Sequence, residues 1–155
     1  MKSRRVAVLL ALAALAGIVA TAVLASHRVT VEDAQPEDAL LRFADVRARF
    51  AGSEPLLHVN PAGRVTRRAA PPVSMDPPTQ FRVLMYRVSE QRLVRTDLPF
   101  WFLKIKGPAV QYALRGTGLD LQRLGVSAAD LERYGASLVL DEMRSNGNRL
   151  LVWTE

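Results

Sequence analysis

Phe81-Arg82-Val83-Leu84-Met85-Tyr86-Arg87-Val88 is the stretch on which the fold turns. Side chains alternate across an extended chain, so Phe81, Val83 and Met85 share one face, and Arg82, Leu84, Tyr86 and Val88 the other. The run reads as a β-strand. Residues 89–92 turn the chain, and 93–97 return beside it. Downstream, Leu138-Val139-Leu140-Asp141 and Leu150-Leu151-Val152-Trp153 flank Ser145-Asn146-Gly147-Asn148. Asn-Gly between two apolar runs is the strongest short-range hairpin signal. Upstream, Leu56-Leu57-His58-Val59 and Arg64-Val65-Thr66-Arg67 flank Asn60-Pro61-Ala62-Gly63 as a further hairpin. Arg28-Val29-Thr30-Val31 reads as a short first strand.

Helical pattern fills the gaps between these strands. Residues 36–51 place Ala39, Leu40, Phe43, Val46 and Phe50 at three-to-four spacing. Glu37 and Asp38 open that stretch, and Arg47, Arg49 and Gly52 close it, as the helix dipole favours. Pro99 can start a short helix over the aromatic string that ends at Leu103, with Asp97 read as its cap. Residues 109–114 have helical composition, and Gly116 and Gly118 end them. Residues 119–124 and 127–134 read as two short helical turns, the second capped by Ser127 with Asp130 three positions on and ended by Gly135. Residues 69–79 carry four prolines and read as an extended loop. Hairpins with helices between them predict one α+β domain over 28–155 with an antiparallel sheet.

The chain has 155 residues, 49% of them hydrophobic, which excludes a disordered tail and leaves room for one ordinary domain. Residues 6–25 are uncharged, and 18 of the 20 are apolar. Twenty helical residues span about 30 Å, the thickness of a bilayer's hydrocarbon core. Lys2, Arg4 and Arg5 precede the run within a basic segment at 1–5, and no acid occurs before Glu32. This predicts a signal-anchor, with Val6, Leu10, Leu15, Val19 and Leu24 in the membrane, the amino terminus in the cytoplasm and the domain outside it. A cleaved signal is the competing reading, with Val23-Leu24-Ala25 or Ala20-Thr21-Ala22 as its exit site, and the product is then secreted or periplasmic. The length of the run favours the anchor.

A net charge of +6 invites a nucleic-acid reading. Half of it belongs to Lys2, Arg4 and Arg5 and is a topology signal. Beyond residue 25 stand eighteen bases and fifteen acids, too even a balance for nucleic acid, and export puts the domain on the wrong side of the membrane.

Cysteine is absent, which removes disulfides, thiol nucleophiles, iron–sulfur clusters and thiolate zinc sites. His27 and His58 have no carboxylate at a ligand spacing, so no metal or cofactor is expected. Asp141 and Glu142 fall on opposite faces of a strand and cannot serve one substrate together. No Gly-x-Ser-x-Gly occurs, and Gly116-Thr117-Gly118 lacks the strand and third glycine of a phosphate loop. The leading expectation is a non-catalytic exported domain that binds a protein or envelope component. A small hydrolase or transferase is the alternative, and it requires His58 to meet an acid such as Asp97 or Asp141.

Candidate contact residues are Phe100, Trp101, Phe102, Lys104 and Lys106, where aromatics and lysines stand together as in a partner or headgroup surface. The same aromatics also suit a core. Arg82, Arg87 and Arg92 fall on neighbouring predicted strands and form a basic face for anionic lipid or polymer if they converge. Eighteen arginines against three lysines, alongside abundant alanine, point instead to compositional bias and a solvated strand face.

Overall fold

The computed structural model describes residues 28–69, 74, 76–105 and 109–155. The apolar run at 6–25, His27 and Lys106 lie outside them, and so do residues 70–73 and 75 of the proline-rich loop. Among the described residues no helix is long and apolar enough to cross a membrane.

The chain runs through β1 (Arg28–Asp33), α1 (Pro36–Arg49), β2 (Leu57–Val59), β3 (Val65–Arg67), β4 (Gln80–Arg87) and β5 (Arg92–Pro99). A 3-10 turn (Phe100–Lys104), α2 (Ala109–Leu114), a second 3-10 turn (Arg115–Thr117) and α3 (Ala128–Tyr134) follow, and β6 (Ser137–Met143) and β7 (Arg149–Thr154) complete it. It is an α+β domain built on one seven-stranded sheet in the order β1-β5-β4-β7-β6-β2-β3. The sheet is mixed rather than wholly antiparallel, because β2 runs parallel to β6, with Leu57 opposite Leu140. Leu56 extends the contact by donating its N–H to the Leu138 carbonyl at 2.9 Å. Local hairpin signals fix which strand follows which, but not where the β2–β3 hairpin docks. Residues 121–125 form turns rather than a helix.

β4 and β7 lie at the centre and are buried on both faces. Phe81, Val83, Met85, Leu150 and Val152 face a layer made by Phe100, Phe102, Leu114, Val126, Leu131 and Tyr134. Leu84, Tyr86, Leu151 and Trp153 face α1, which covers them with Ala39, Phe43 and Val46. A register shift between Leu138 and Leu140 in β6 turns Leu138 toward α1 and both Val139 and Leu140 toward the opposite layer. β1 stands apart, at the sheet edge, exposed at every residue.

Two local devices set the layer opposite α1. Ser127 and Asp130 form a reciprocal cap on α3: Asp130 N–H donates to Ser127 Oγ at 3.1 Å and Ser127 N–H to Asp130 Oδ2 at 2.9 Å. The helix ends at Gly135, whose φ of +65° suits glycine, and a Cβ there would collide with the Ser74 side chain. Tyr134 ties α3 to the chain beyond β3 by donating its hydroxyl to the Arg68 carbonyl at 2.7 Å.

Phe43 has no exposed surface, whereas Leu41, two residues earlier on the same helix, is 65% exposed. Phe43→Ala should lower unfolding stability by about 3–5 kcal/mol, and Leu41→Ala should change it by less than about 0.5 kcal/mol, read from urea midpoints at constant slope. The cap generates a pH prediction as well. The Ser127 backbone N–H bond holds the Asp130 carboxyl below the usual carboxylate range, with smaller help from the Ser127 hydroxyl and Arg67. A lowered carboxyl pKa contributes stability that is full above the unfolded value near 3.9 and is lost as pH falls through the folded value. Asp130→Asn should therefore be less stable than the parent at pH 7, and the gap should close in urea titrations repeated below about pH 4.

Candidate functional site

The larger cleft, about 840 Å³, opens where the β2–β3 hairpin, the β6–β7 hairpin and residues 118–124 approach one another. Its apolar lining comes from half-buried Val59 and Val65 of the hairpin and Leu124 of the connecting segment, over Leu119, Leu140 and Leu150, which are buried. Its lining carries both signs of charge, with Asp120, Arg123, Glu142 and Arg144.

Each wall is held by a short-range turn. Asn60 closes the β2–β3 loop, accepting at Oδ1 from Arg64 N–H at 2.8 Å and at its carbonyl from Gly63 N–H at 2.8 Å. Asp120 Oδ1 accepts from the backbone of Gln122 and Arg123 at 3.0 and 3.1 Å, which shapes the 118–124 wall. In the β6–β7 turn, Arg144 N–H donates to the Asn148 carbonyl at 2.8 Å and Gly147 N–H to the Arg144 carbonyl at 2.9 Å. Arg144 joins two walls by donating Nη2 to the Gly118 carbonyl at 3.0 Å while Nε approaches Glu142 at 3.4 Å. Gly118 has a φ of +62°, and an added Cβ would meet Arg144 Nη1 at 3.0 Å, so glycine lets the guanidinium lie against the chain.

Three of the cleft's parts lie far apart in the sequence. The hairpin turns at 60–63 and 145–148 and the turn glycine Gly118 are each legible locally, but no local pattern joins Gly118 to Arg144 or to Asn60. A smaller cleft of about 420 Å³ lies between β1 and α1, lined by Glu32, Asp33, Asp38, Arg42, Asp45 and Leu93 among others.

The aromatic string divides. Phe100 and Phe102 are core residues rather than contact residues, 3% and 4% exposed, because the 3-10 turn points them at β4 and β5. Trp101 between them is 45% exposed. Lys104 pairs with Glu132 at 2.7 Å and lies 5.8 Å from the Phe100 ring centre. Pro99, not Asp97, stands at the cap position of that turn, and no side chain caps it.

The arginines do not converge on one basic face. Arg82 lies on the α1 face, where it pairs with Glu155 at 2.6 Å and approaches Asp97 at 3.8 Å. Arg87 and Arg92 belong to the other face by strand alternation. Arg87 meets Glu90 at 3.2 Å and the Gly116 carbonyl at 2.6 Å, and Arg92 meets Asp33 at 3.5 Å. Each of these three arginines meets an acid, so the strands present mixed charge to solvent.

The pairing of Leu57 with Leu140 sets His58 beside Asp141 in the neighbouring strand. Asp141, however, accepts both guanidinium bonds of Arg47, at 2.6 and 2.7 Å. That pair of bonds raises the Arg47 pKa further above its ordinary value, outweighing partial burial. Asp97 accepts from Arg95 Nε at 3.1 Å on both oxygens. Neither acid donates or accepts a hydrogen bond with His58 among the described residues, and His58 lines neither cleft. No group of three or more histidines and acids is gathered as metal ligands would be, again among the described residues.

Arg47 and Asp141 stand 94 positions apart and pin α1 to β6. Both side chains are partly exposed, so a double-mutant cycle of Arg47→Ala and Asp141→Ala should give a coupling of about 1 kcal/mol, at the upper end for exposed pairs because it is bidentate. A coupling near zero in urea unfolding would show that α1 is held by its apolar face alone.

Comparison with protein-family models, with curated proteins and with solved structures gives no match in any of the three.

Proposed function

We propose that this chain is a membrane-tethered binding protein, anchored by residues 6–25 with its amino terminus in the cytoplasm, whose exported domain holds an envelope component without chemically changing it. The 840 Å³ cleft is the observation that carries the reading. Its volume falls in the usual range of about 300–1,000 Å³ for ligand sites. Half-buried apolar side chains and charges of both signs line it together, which suits an extended peptide segment: apolar side chains go down, and backbone and charged groups are met by Asp120, Arg123, Glu142 and Arg144. A uniformly basic rim would favour an anionic polymer instead, and this rim is balanced. The reading that assigns hydrolysis to His58 and a carboxylate draws no support from the geometry, since arginines occupy Asp97 and Asp141.

The test uses the full chain in its native membrane. A photo-crosslinking amino acid at Arg123 or Ser145, on the rim, should give one and the same discrete adduct. The same group at Leu41, on the far side of the sheet, should give none. Absence of an adduct from both rim positions, or equal labelling from Leu41, would overturn the assignment.

A further inference from the structure

We infer that two copies of this chain pair antiparallel through β1, joining their sheets into one continuous sheet across a two-fold axis at Thr30. Among the described residues β1 has a neighbour on one side only, β5, and its six residues are all exposed. Sheet edges of this kind are ordinarily blunted by charge, proline or a bulge; Arg28–Asp33 has no proline and no bulge, and its Arg28 and Glu32 are opposite in sign, so they attract rather than repel when the strand meets itself.

The direction of the free backbone groups follows from the ladder. Ala34 N–H donates to the Gln91 carbonyl at 2.8 Å, in register with the pairs Glu32–Leu93, Thr30–Arg95 and Arg28–Asp97. In an antiparallel ladder hydrogen-bonded pairs alternate with non-bonded pairs. Arg28, Thr30 and Glu32 therefore turn their backbone groups toward β5, and Val29, Val31 and Asp33 turn theirs outward.

A second β1 can use those groups in one favourable register. With Thr30 opposite Thr30, Val29 of each copy exchanges backbone hydrogen bonds with Val31 of the other. On the same face as Thr30, Arg28 then stands opposite Glu32, in the closer, non-bonded type of pair. The sequence Arg-Val-Thr-Val-Glu is thus self-complementary about its centre. Valine meets valine, threonine meets threonine, and each base meets an acid. Sliding by one pair puts Val29 against Asp33 or removes the Arg28–Glu32 match. Val29 and Val31, 48% and 55% exposed in the single chain, gain apolar neighbours.

The charges are free for this use. Neither Arg28 nor Glu32 forms an ion pair among the described residues. Asp97, the cross-strand neighbour of Arg28, is engaged by Arg95 and Arg82. The two-fold axis runs perpendicular to the sheet, so both domains turn the same face to the same side. The two Arg28 residues lie about 13 Å apart along the strands. That geometry is independent of what occupies the cleft.

The full chain, solubilised in mild detergent, supplies the test. It contains no cysteine, so Thr30→Cys introduces a single thiol, and two such thiols face each other only in this register. Mild oxidation should convert Thr30→Cys to a disulfide-linked dimer, while a Leu41→Cys control stays uncrosslinked. Sedimentation should show a dimer whose dissociation constant rises about tenfold or more in Arg28→Glu and in Glu32→Arg, and returns toward the parent value when both changes are combined. A monomer at all concentrations, an uncrosslinked Thr30→Cys, or a dimer indifferent to both single charge changes would overturn the proposal. The last of these is the behaviour expected of association through the apolar segment alone.

Discussion

β4 and β7 lie side by side with large apolar side chains on both faces: Phe81, Val83 and Val152 on one, Leu84, Leu151 and Trp153 on the other. Each such side chain stabilises the folded state by about 1.5–3 kcal/mol only if its own face is covered. One layer of helices cannot do this, so the domain has two unlike covers. α1 closes one face with a short apolar stripe and is then fastened by Arg47 to Asp141. The other face receives a patchwork of 3-10 turns, α2, α3 and loops, in which caps and tight glycines replace helix length. The cleft is where that patchwork stops: Leu140 and Leu150 are already buried beneath it, and the two hairpin tips and residues 118–124 stand around it.

The high arginine content acquires a structural sense from the same arrangement. Arg82, the Trp153 indole N–H and Arg49 at the end of α1 converge on Glu155, and Arg95 and Arg82 share Asp97 farther along the same face of the sheet. Guanidinium groups with long apolar stems cover sheet surface that no helix reaches, while keeping their heads at the water. Such pairs contribute little each to stability, but they leave the strand surface neutral rather than basic.

Much of this architecture is legible from nearby residues because local physics decides it. Alternation identifies β4, three-to-four spacing with ordered charges identifies α1, Ser127 and Asp130 mark a helix start, and Asn146-Gly147 marks the last turn. The illegible parts are those settled by partners distant in sequence. Nothing in Leu57-His58-Val59 announces that it will lie parallel to β6. Nothing in Phe100-Trp101-Phe102 says which ring goes inward, because that depends on the twist of the turn against β5. Arg47 with Asp141, Arg67 with Asp130 and Arg82 with Glu155 are likewise invisible until the sheet order brings them together. The cleft inherits this illegibility, since its three walls come from three separate stretches.

The sheet order also constrains when the domain can come into being. β1, β5 and β4 are neighbours drawn from the first part of the chain, whereas the β2–β3 hairpin reaches the sheet only through β6, about eighty residues after β2. β4 in turn has one side unpaired until β7 arrives at the carboxyl end. A chain emerging from its amino terminus therefore carries an orphan hairpin and an open central strand until β6 and β7 are free. The last hairpin acts as a keystone set in place after the arch is otherwise raised, and the cleft comes into existence only at that closing step.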